Sequence, residues 1–177
     1  MDALVRPMTD ADCEAVGRLR TDGWRAAYAG LMPRAYLDAL DPAEDAALRR
    51  RILAAAPPSV VDAVAEQAGE VRGWACWGPL REDAGPGSSE GSRDAELYAL
   101  YVRPERIGTG LGHLLLSDCL ERCAAAGYPR LRLWVVAGNT RARRFYEQAG
   151  FRPDGSEQTD PVGGEPVTEV RYGLRLG

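Results

Sequence analysis

The sequence predicts one α/β (α+β) domain, residues 1–177, with a mixed, mostly antiparallel sheet flanked by helices. Short strand-like apolar runs alternate with longer helical stretches, so helices and strands are interleaved along the chain. Apolar residues make up 45% and charged residues 27%, a balance that supports a core and argues against disorder of the whole chain. No internal repeat divides the 177 residues, a length suited to one domain.

The elements follow in order. "ALVRPM" reads as a short opening strand. Residues 10–55 read as helical, interrupted at "YAGLMP" and "LDP", where glycine and proline punctuate. "PSVVDAVAEQ" and "EVRGWACWGP" read as two strands joined by a turn at "AGE". "REDAGPGSSEGSRD" is a polar, glycine-rich loop. "AELYALYV" is the clearest strand. "GLGHLLLSDCLERCAAAG" is a helix ended by Gly127. "RLRLWVV" is a strand, "NTRARRFYEQAG" a helix with Asn139 as its N-cap, and "FRP" the start of another strand. A loop bearing Asp154, Glu157, Asp160 and Glu165 is expected next, and "VTEVRYGLRL" closes the chain as a strand.

Composition excludes several chemistries. All 22 basic residues are arginine, so Schiff-base lysines, lysine general bases and the lysine-containing phosphate loop of NTPases are absent. Net charge is -4, which disfavours general nucleic-acid binding. No apolar run approaches the ~20 residues of a membrane span, and the N-terminus lacks a signal-peptide layout, so a cytoplasmic protein without a membrane partner is expected. Cys13, Cys76, Cys119 and Cys123 have no zinc-finger spacing and read as buried thiols. The one histidine, His113, rules out a multi-histidine metal site, and no metal is expected.

"ERIGTGLGHLLL" places Gly108, Gly110 and Gly112 between a strand and a helix. Such a turn suits an anion, because the first N–H groups of a helix lack internal partners and the helix dipole is positive there. The following helix has Leu115, Leu116, Cys119, Leu120 and Cys123 on one side, with Ser117, Asp118, Glu121 and Arg122 on the other. The dinucleotide fingerprint fails, since its third glycine would fall on His113 or Leu115.

"LYALYVRPERIGTGLGHLLL" resembles the central motif of the GNAT superfamily of acetyl-CoA-dependent N-acetyltransferases, Q/R-x-x-G-x-G/A at a helix start. "GNTRARRFYEQAGFRP" resembles its second signature, here running from Asn139 through Ala142, Phe145, Tyr146 and Gly150 to Phe151. The element order matches over nearly the whole chain. Ile107 stands where that family has Gln or Arg, which points to main-chain N–H groups as the holders of the phosphates.

The resemblance implies a sheet of about six to seven strands whose central strands splay around CoA. Ile107, Gly108, Thr109, Gly110, Leu111, Gly112 and His113 would cradle the pyrophosphate. Leu100, Tyr101 and Val102 would pair their backbone with the pantetheine arm, a main-chain N–H near Val102 polarising the acetyl carbonyl. Asn139 would bind the arm further along. Tyr146 would protonate the leaving thiolate. Asn139, Ala142, Arg143 and Tyr146 share one helix face, which makes Arg143 a candidate for a CoA phosphate.

A lysine-like amine has a pKa near 10.4, so its deprotonation at pH 7 costs roughly 4–5 kcal/mol and a general base is useful. Glu96, at the start of "ELYALYV", is the candidate, and strand alternation would set it on one face with Tyr98, Leu100 and Val102. For the acceptor, Trp24 and Tyr28 share a helix face, with Tyr98 and Trp77 joining them, and aromatic walls suit an amine with an apolar body. The acidic stretch 154–165 would favour a cation if it reaches the pocket. The expected activity is acetyl transfer to a small-molecule amine; the alternatives are a protein or peptide acceptor, or a CoA-binding sensor without turnover. A homodimer is a family-level expectation.

Overall fold

The computed structural model describes residues 2–81 and 92–177. Most of the glycine-rich loop expected at 81–94 lies outside the described residues. Seven strands among the described residues form one sheet: β1 (Ala3–Pro7), β2 (Val61–Gln67), β3 (Glu70–Pro79), β4 (Ala95–Val102), β5 (Arg130–Val136), β6 (Arg152–Val162) and β7 (Glu165–Arg175). Their order is β1-β2-β3-β4-β5-β7-β6. Every neighbouring pair is antiparallel except β4 with β5. The helices are α1 (Cys13–Tyr28), α2 (Arg34–Asp38), α3 (Pro42–Ala55), α4 (Leu111–Ala125) and α5 (Thr140–Gln148). The breaks at "YAGLMP" and "LDP" fall between α1, α2 and α3, as the sequence indicates. No helix among the described residues is long and apolar enough to cross a membrane.

Local chemistry sets the boundaries. Asp41 accepts a 2.7 Å hydrogen bond from the Ala43 N–H with Pro42 in the first turn, which starts α3. Asn139 caps α5 by accepting from the Ala142 N–H at 3.2 Å. Gly127 has φ +82 and takes the left-handed conformation just beyond α4.

The sheet is packed on both faces. On one, Leu115, Leu116, Cys119 and Cys123 of α4 meet Leu131, Leu133, Phe151 and Tyr172, with Tyr146 of α5 in the same cluster. On the other, Cys13, Val16 and Leu19 of α1 meet Val64 and Trp74. All four cysteines are buried and free.

Two features of the middle of the sheet matter for function. β4 and β5 pair at Ala95–Leu131 and Glu96–Arg132 only, then part. The β3–β4 register shifts between Cys76 and Trp77, which face Ala99 and Leu97, so Tyr98 is the extra residue of a bulge in β4. The bulge corrects the alternation expected along β4: Leu97, Leu100 and Val102 pack with α4, whereas Tyr98, Ala99 and Tyr101 pack with the α1 side. Glu96 and Tyr98 therefore do not share a face with Leu100 and Val102.

The acidic stretch is also corrected. Residues 154–165 are not a loop; they belong to a β6–β7 hairpin whose turn is Gly163–Gly164, at φ +58 and +86. Pro153, Pro161 and the acids read as loop, but β6 is an edge strand, where proline is tolerated. Asp154 is held by Arg171 at 2.6 Å and by Arg132 at 3.4 Å.

Candidate active site

The three glycines serve two purposes. Gly108 and Gly110 have φ of +82 and +91 with open space where a Cβ would stand, so backbone conformation selects them. Gly112 has ordinary φ, but a Cβ there would meet the Phe145 ring at 3.3 Å, so close approach of α5 to α4 selects it. Gly110 is the N-cap of α4, and Leu114 is the first residue to close a helical turn, donating to Gly110 O at 3.0 Å. The main-chain N–H groups of Leu111, Gly112 and His113 precede that first turn, the positive end of the helix dipole.

This turn opens into a cavity of about 730 Å³. The cavity crosses the sheet where β4 and β5 part, since residues from both faces of β4 line it: Leu100 and Val102 from one, Tyr98 and Tyr101 from the other. At the loop end stand Ile107, Gly108, Gly110, His113 and the arginines Arg106, Arg141 and Arg144. His113 packs edge-on against Phe145 at 4.9 Å. Tyr146 lines the middle, 8% exposed, with its ring against Phe145 and Phe151. Burial, then Tyr101 and Cys119, push the Tyr146 phenol upward, so it stays protonated at neutral pH.

The opposite end is aromatic. Trp24 lies edge-on to Tyr28 at 5.1 Å, and the Tyr28 and Tyr101 hydroxyls are 3.4 Å apart. Trp134 of β5, Met32 and Glu169 of β7 complete this wall. The Trp24 indole N–H is buried without a hydrogen-bond partner among the described residues. Burial raises the Tyr28 phenol, and Tyr101, Tyr146 and Glu169 add to it. Behind Tyr101, Trp74 stacks at 6.5 Å and the Arg20 guanidinium lies over both rings.

The placement of the sequence-derived residues is uneven. Leu100, Tyr101, Val102, Ile107, Gly108, Gly110, Gly112, His113, Asn139, Ala142 and Tyr146 all border the cavity, as do Trp24, Tyr28 and Tyr98. Thr109 sits in the turn, its hydroxyl donating to Arg106 O, and the Leu111 side chain is core. Trp77 is buried at 2% in the α4-side core and does not border the cavity. Arg143 turns away as well, donating to the Tyr172 hydroxyl and Ala137 O at 2.9 Å each, while its neighbours Arg141 and Arg144 face the cavity. Helical periodicity put Arg143 on the Tyr146 face, but its long side chain finds partners within the fold.

Glu96 is displaced from the expected role. It is 1% exposed, outside the cavity lining, and Arg81 takes both its oxygens: the Arg81 N–H donates to Oε2 at 3.1 Å and Nε to Oε1 at 3.1 Å. A carboxylate with its lone pairs so engaged is poorly placed to receive an amine's proton. The nearby Tyr98 phenol is pushed up to about 12, first by burial and then by Glu96. Trp134, Glu169, Arg106, Arg141 and Arg144 are among the cavity residues that the sequence alone did not assign. Among the described residues no cluster of His, Cys, Asp or Glu is arranged to hold a metal ion.

Comparison with known proteins accords with this geometry. The family model described as the acetyltransferase (GNAT) family matches residues 21–151. An uncharacterized N-acetyltransferase, YuaI, from Bacillus subtilis is 29% identical over 171 residues, 96% of this chain and 91% of that protein. A mycothiol acetyltransferase from Jonesia denitrificans is 40% identical over 80 residues; they are 42% of this chain and only 26% of that longer protein. The fold superposes on a PaiA N-acetyltransferase from Thermoplasma acidophilum, solved in complex with coenzyme A, with a TM-score of 0.76 at 19% identity over 99% of each chain.

Proposed function

This chain belongs to the GNAT family of acetyltransferases, and from that premise we propose that it transfers the acetyl group of acetyl-CoA to the primary amine of a small molecule, with Tyr146 as the general acid. The observation that carries the reading is the cavity that crosses the sheet, with a glycine turn and three arginines at one end and an aromatic wall at the other.

The residues fit acetyl-CoA. The turn at 108–112 offers main-chain N–H groups to a pyrophosphate, and Arg106, Arg141 and Arg144 add positive charge near it. Beyond Glu96, β4 has no β5 pairing, which leaves main-chain groups for an extended arm. Acetyl-CoA supplies the activated acetyl group and a thiolate leaving group. The acceptor's ammonium first loses a proton to water. As the free nitrogen bonds to the acetyl carbon and the carbon–sulfur bond breaks, Tyr146, protonated and enclosed, gives its proton to that sulfur. The proton shed by the nitrogen restores the phenol directly or through water. No protein nucleophile is needed, because the amine attacks the thioester directly; all four cysteines lie buried. Holding amine and thioester in one cavity converts their encounter into a near-unimolecular step.

Tyr146→Phe tests the assignment. It should lower kcat by about 10²-fold or more, the usual scale for acid–base groups, while acetyl-CoA affinity measured by calorimetry stays within about twofold. Wild-type turnover with the variant removes Tyr146 as the acid; tight acetyl-CoA binding with no transfer to any amine of a broad panel removes the enzymatic reading.

A further inference from the structure

The charges lining the cavity are segregated. Arg106, Arg141 and Arg144 stand at the loop and α5, whereas Glu169 is the one acidic residue that borders it among the described residues. Glu169 lies on β7, opposite Val136 of β5 and Gln158 of β6. Val136 clusters with Trp24 and Tyr28, so this position belongs to the α1 side of the sheet. Gln158 donates a 2.8 Å hydrogen bond to Glu169 Oε2 and fixes the carboxylate. The cavity-lining rings around it are Trp24, Tyr28, Tyr101 and Trp134, and both phenols feel its negative charge. Its other charged neighbours are accounted for: Arg81 is committed to Glu96, and Arg171, over the Trp134 ring at 5.5 Å, is bonded to Asp154.

A single oriented carboxylate among aromatic faces is the chemistry that recognises an organic ammonium ion, by ion pairing at one point and cation–π contact around it. We propose that Glu169 is the counter-ion for the acceptor's ammonium, and that the acceptor is a monocationic aryl- or alkylamine without a carboxylate beside its amino group. The proposal rests on the amine-acetyltransferase reading and narrows it. An amino acid would bring its own carboxylate toward Glu169, and like charges at close range in a partly enclosed site exclude it. The specificity determinant is thus on β7, far in sequence from the glycine turn.

The test is binding to the CoA-loaded full chain, read by calorimetry and by fluorescence of Trp24 and Trp134. The probes are 2-phenylethylamine, its neutral analogue 2-phenylethanol, and phenylalanine, which adds a carboxylate. The expected result is 2-phenylethylamine binding at least about tenfold more tightly than phenylalanine, the scale of one charge-assisted contact. Glu169→Gln should cost the amine about tenfold, leave 2-phenylethanol and CoA within about twofold, and narrow the preference over phenylalanine; Glu169→Asp should recover part of the loss. Equal amine binding by wild type and Glu169→Gln overturns the proposal, and so does absence of amine binding at millimolar concentration. Glu169-dependent binding of the amine, with no acetylation of it or of any other amine of a broad panel, would leave Glu169 as an ammonium-binding group and remove the transferase reading instead.

Discussion

At the 108–112 end of the cavity, the lining is a glycine turn and arginines drawn from one stretch, 106–144. At the other end it is made of side chains from four elements, Trp24 and Tyr28 on α1, Tyr101 on β4, Trp134 on β5 and Glu169 on β7. The first end is a backbone site. Its requirement is a conformation, and φ of +82 and +91 write that requirement into the sequence as glycine. The second is a side-chain site whose members meet only because the strand order brings β7 beside β5 and α1 across the sheet. On the proposed reading the contrast also accounts for Ile107: an apolar side chain, 40% exposed, suits a turn that would hold a ligand through its backbone.

If that contrast is right, the backbone end should be most sensitive to substitutions that change no functional group. Gly110→Val places a β-branched residue at φ +91 in open space, so any effect comes from conformation and not from collision. A left-handed non-glycine residue costs roughly 1–2 kcal/mol, more when β-branched. Relaxation of the turn would misdirect the first N–H groups of α4. Acetyl-CoA affinity should fall about 30-fold, equivalent to ~2 kcal/mol, with 2-phenylethylamine affinity unchanged. Equal losses at both ends would erase the distinction between them.

The same contrast explains how much could be read from the sequence. Strands β3, β4 and β5 and the cap of α5 follow from local pattern and turn chemistry, and so does the glycine turn. Beyond the acidic stretch, which reads as a loop, three expectations did not hold, each for a reason that lies outside a single segment. The β3–β4 bulge reverses alternation partway along β4. Trp77 alternates regularly with Cys76 along β3 and so faces the α4 core, and a strand pattern does not say which face of the sheet meets the cavity. Arg143 reaches Tyr172, a partner on β7 that no helix pattern reveals. Glu169 sits within a strand legible as "VTEVRYGLRL", but alternation does not say which face of the sheet meets the cavity, nor that Gln158 lies opposite.

Glu96 gives the next sharpest test, because its sequence-derived role and its structural setting predict different outcomes. As a buried partner of Arg81, it should act on stability. Glu96→Gln keeps the shape and the capacity to accept from Arg81 but removes the charge. Arg81 is 60% exposed at its side chain, so water compensates part of the loss. The expected cost is about 1 kcal/mol, the difference between charge-assisted and neutral hydrogen bonds, or a Tm lower by roughly 2–4 °C for a chain of this size. Turnover should change by less than about threefold. A kcat reduced by ~10²-fold with unchanged Tm would return Glu96 to the base role, because acid–base groups act on that scale.

Asn139 sits at the boundary between the two kinds of site, and its effect should be the smallest. Its Oδ1 caps α5 through the Ala142 N–H, and the residue also borders the cavity. Asn139→Ala removes both functions, and the cap alone is worth about 0.5–1 kcal/mol. Asn139→Asp retains an oxygen able to cap but replaces the amide donor with a negative charge beside Arg141 and Arg144. If the side chain only starts the helix, the Asp variant should melt like wild type and bind acetyl-CoA like wild type. If it also donates to the cofactor arm, the Asp variant should keep its Tm and still lose about three- to tenfold in acetyl-CoA affinity, the worth of one hydrogen bond. A loss of affinity with retained stability would show that one side chain joins the conformational end of the cavity to its contact end; a loss of both in the Asp variant would show that the α5 start depends on more than its cap.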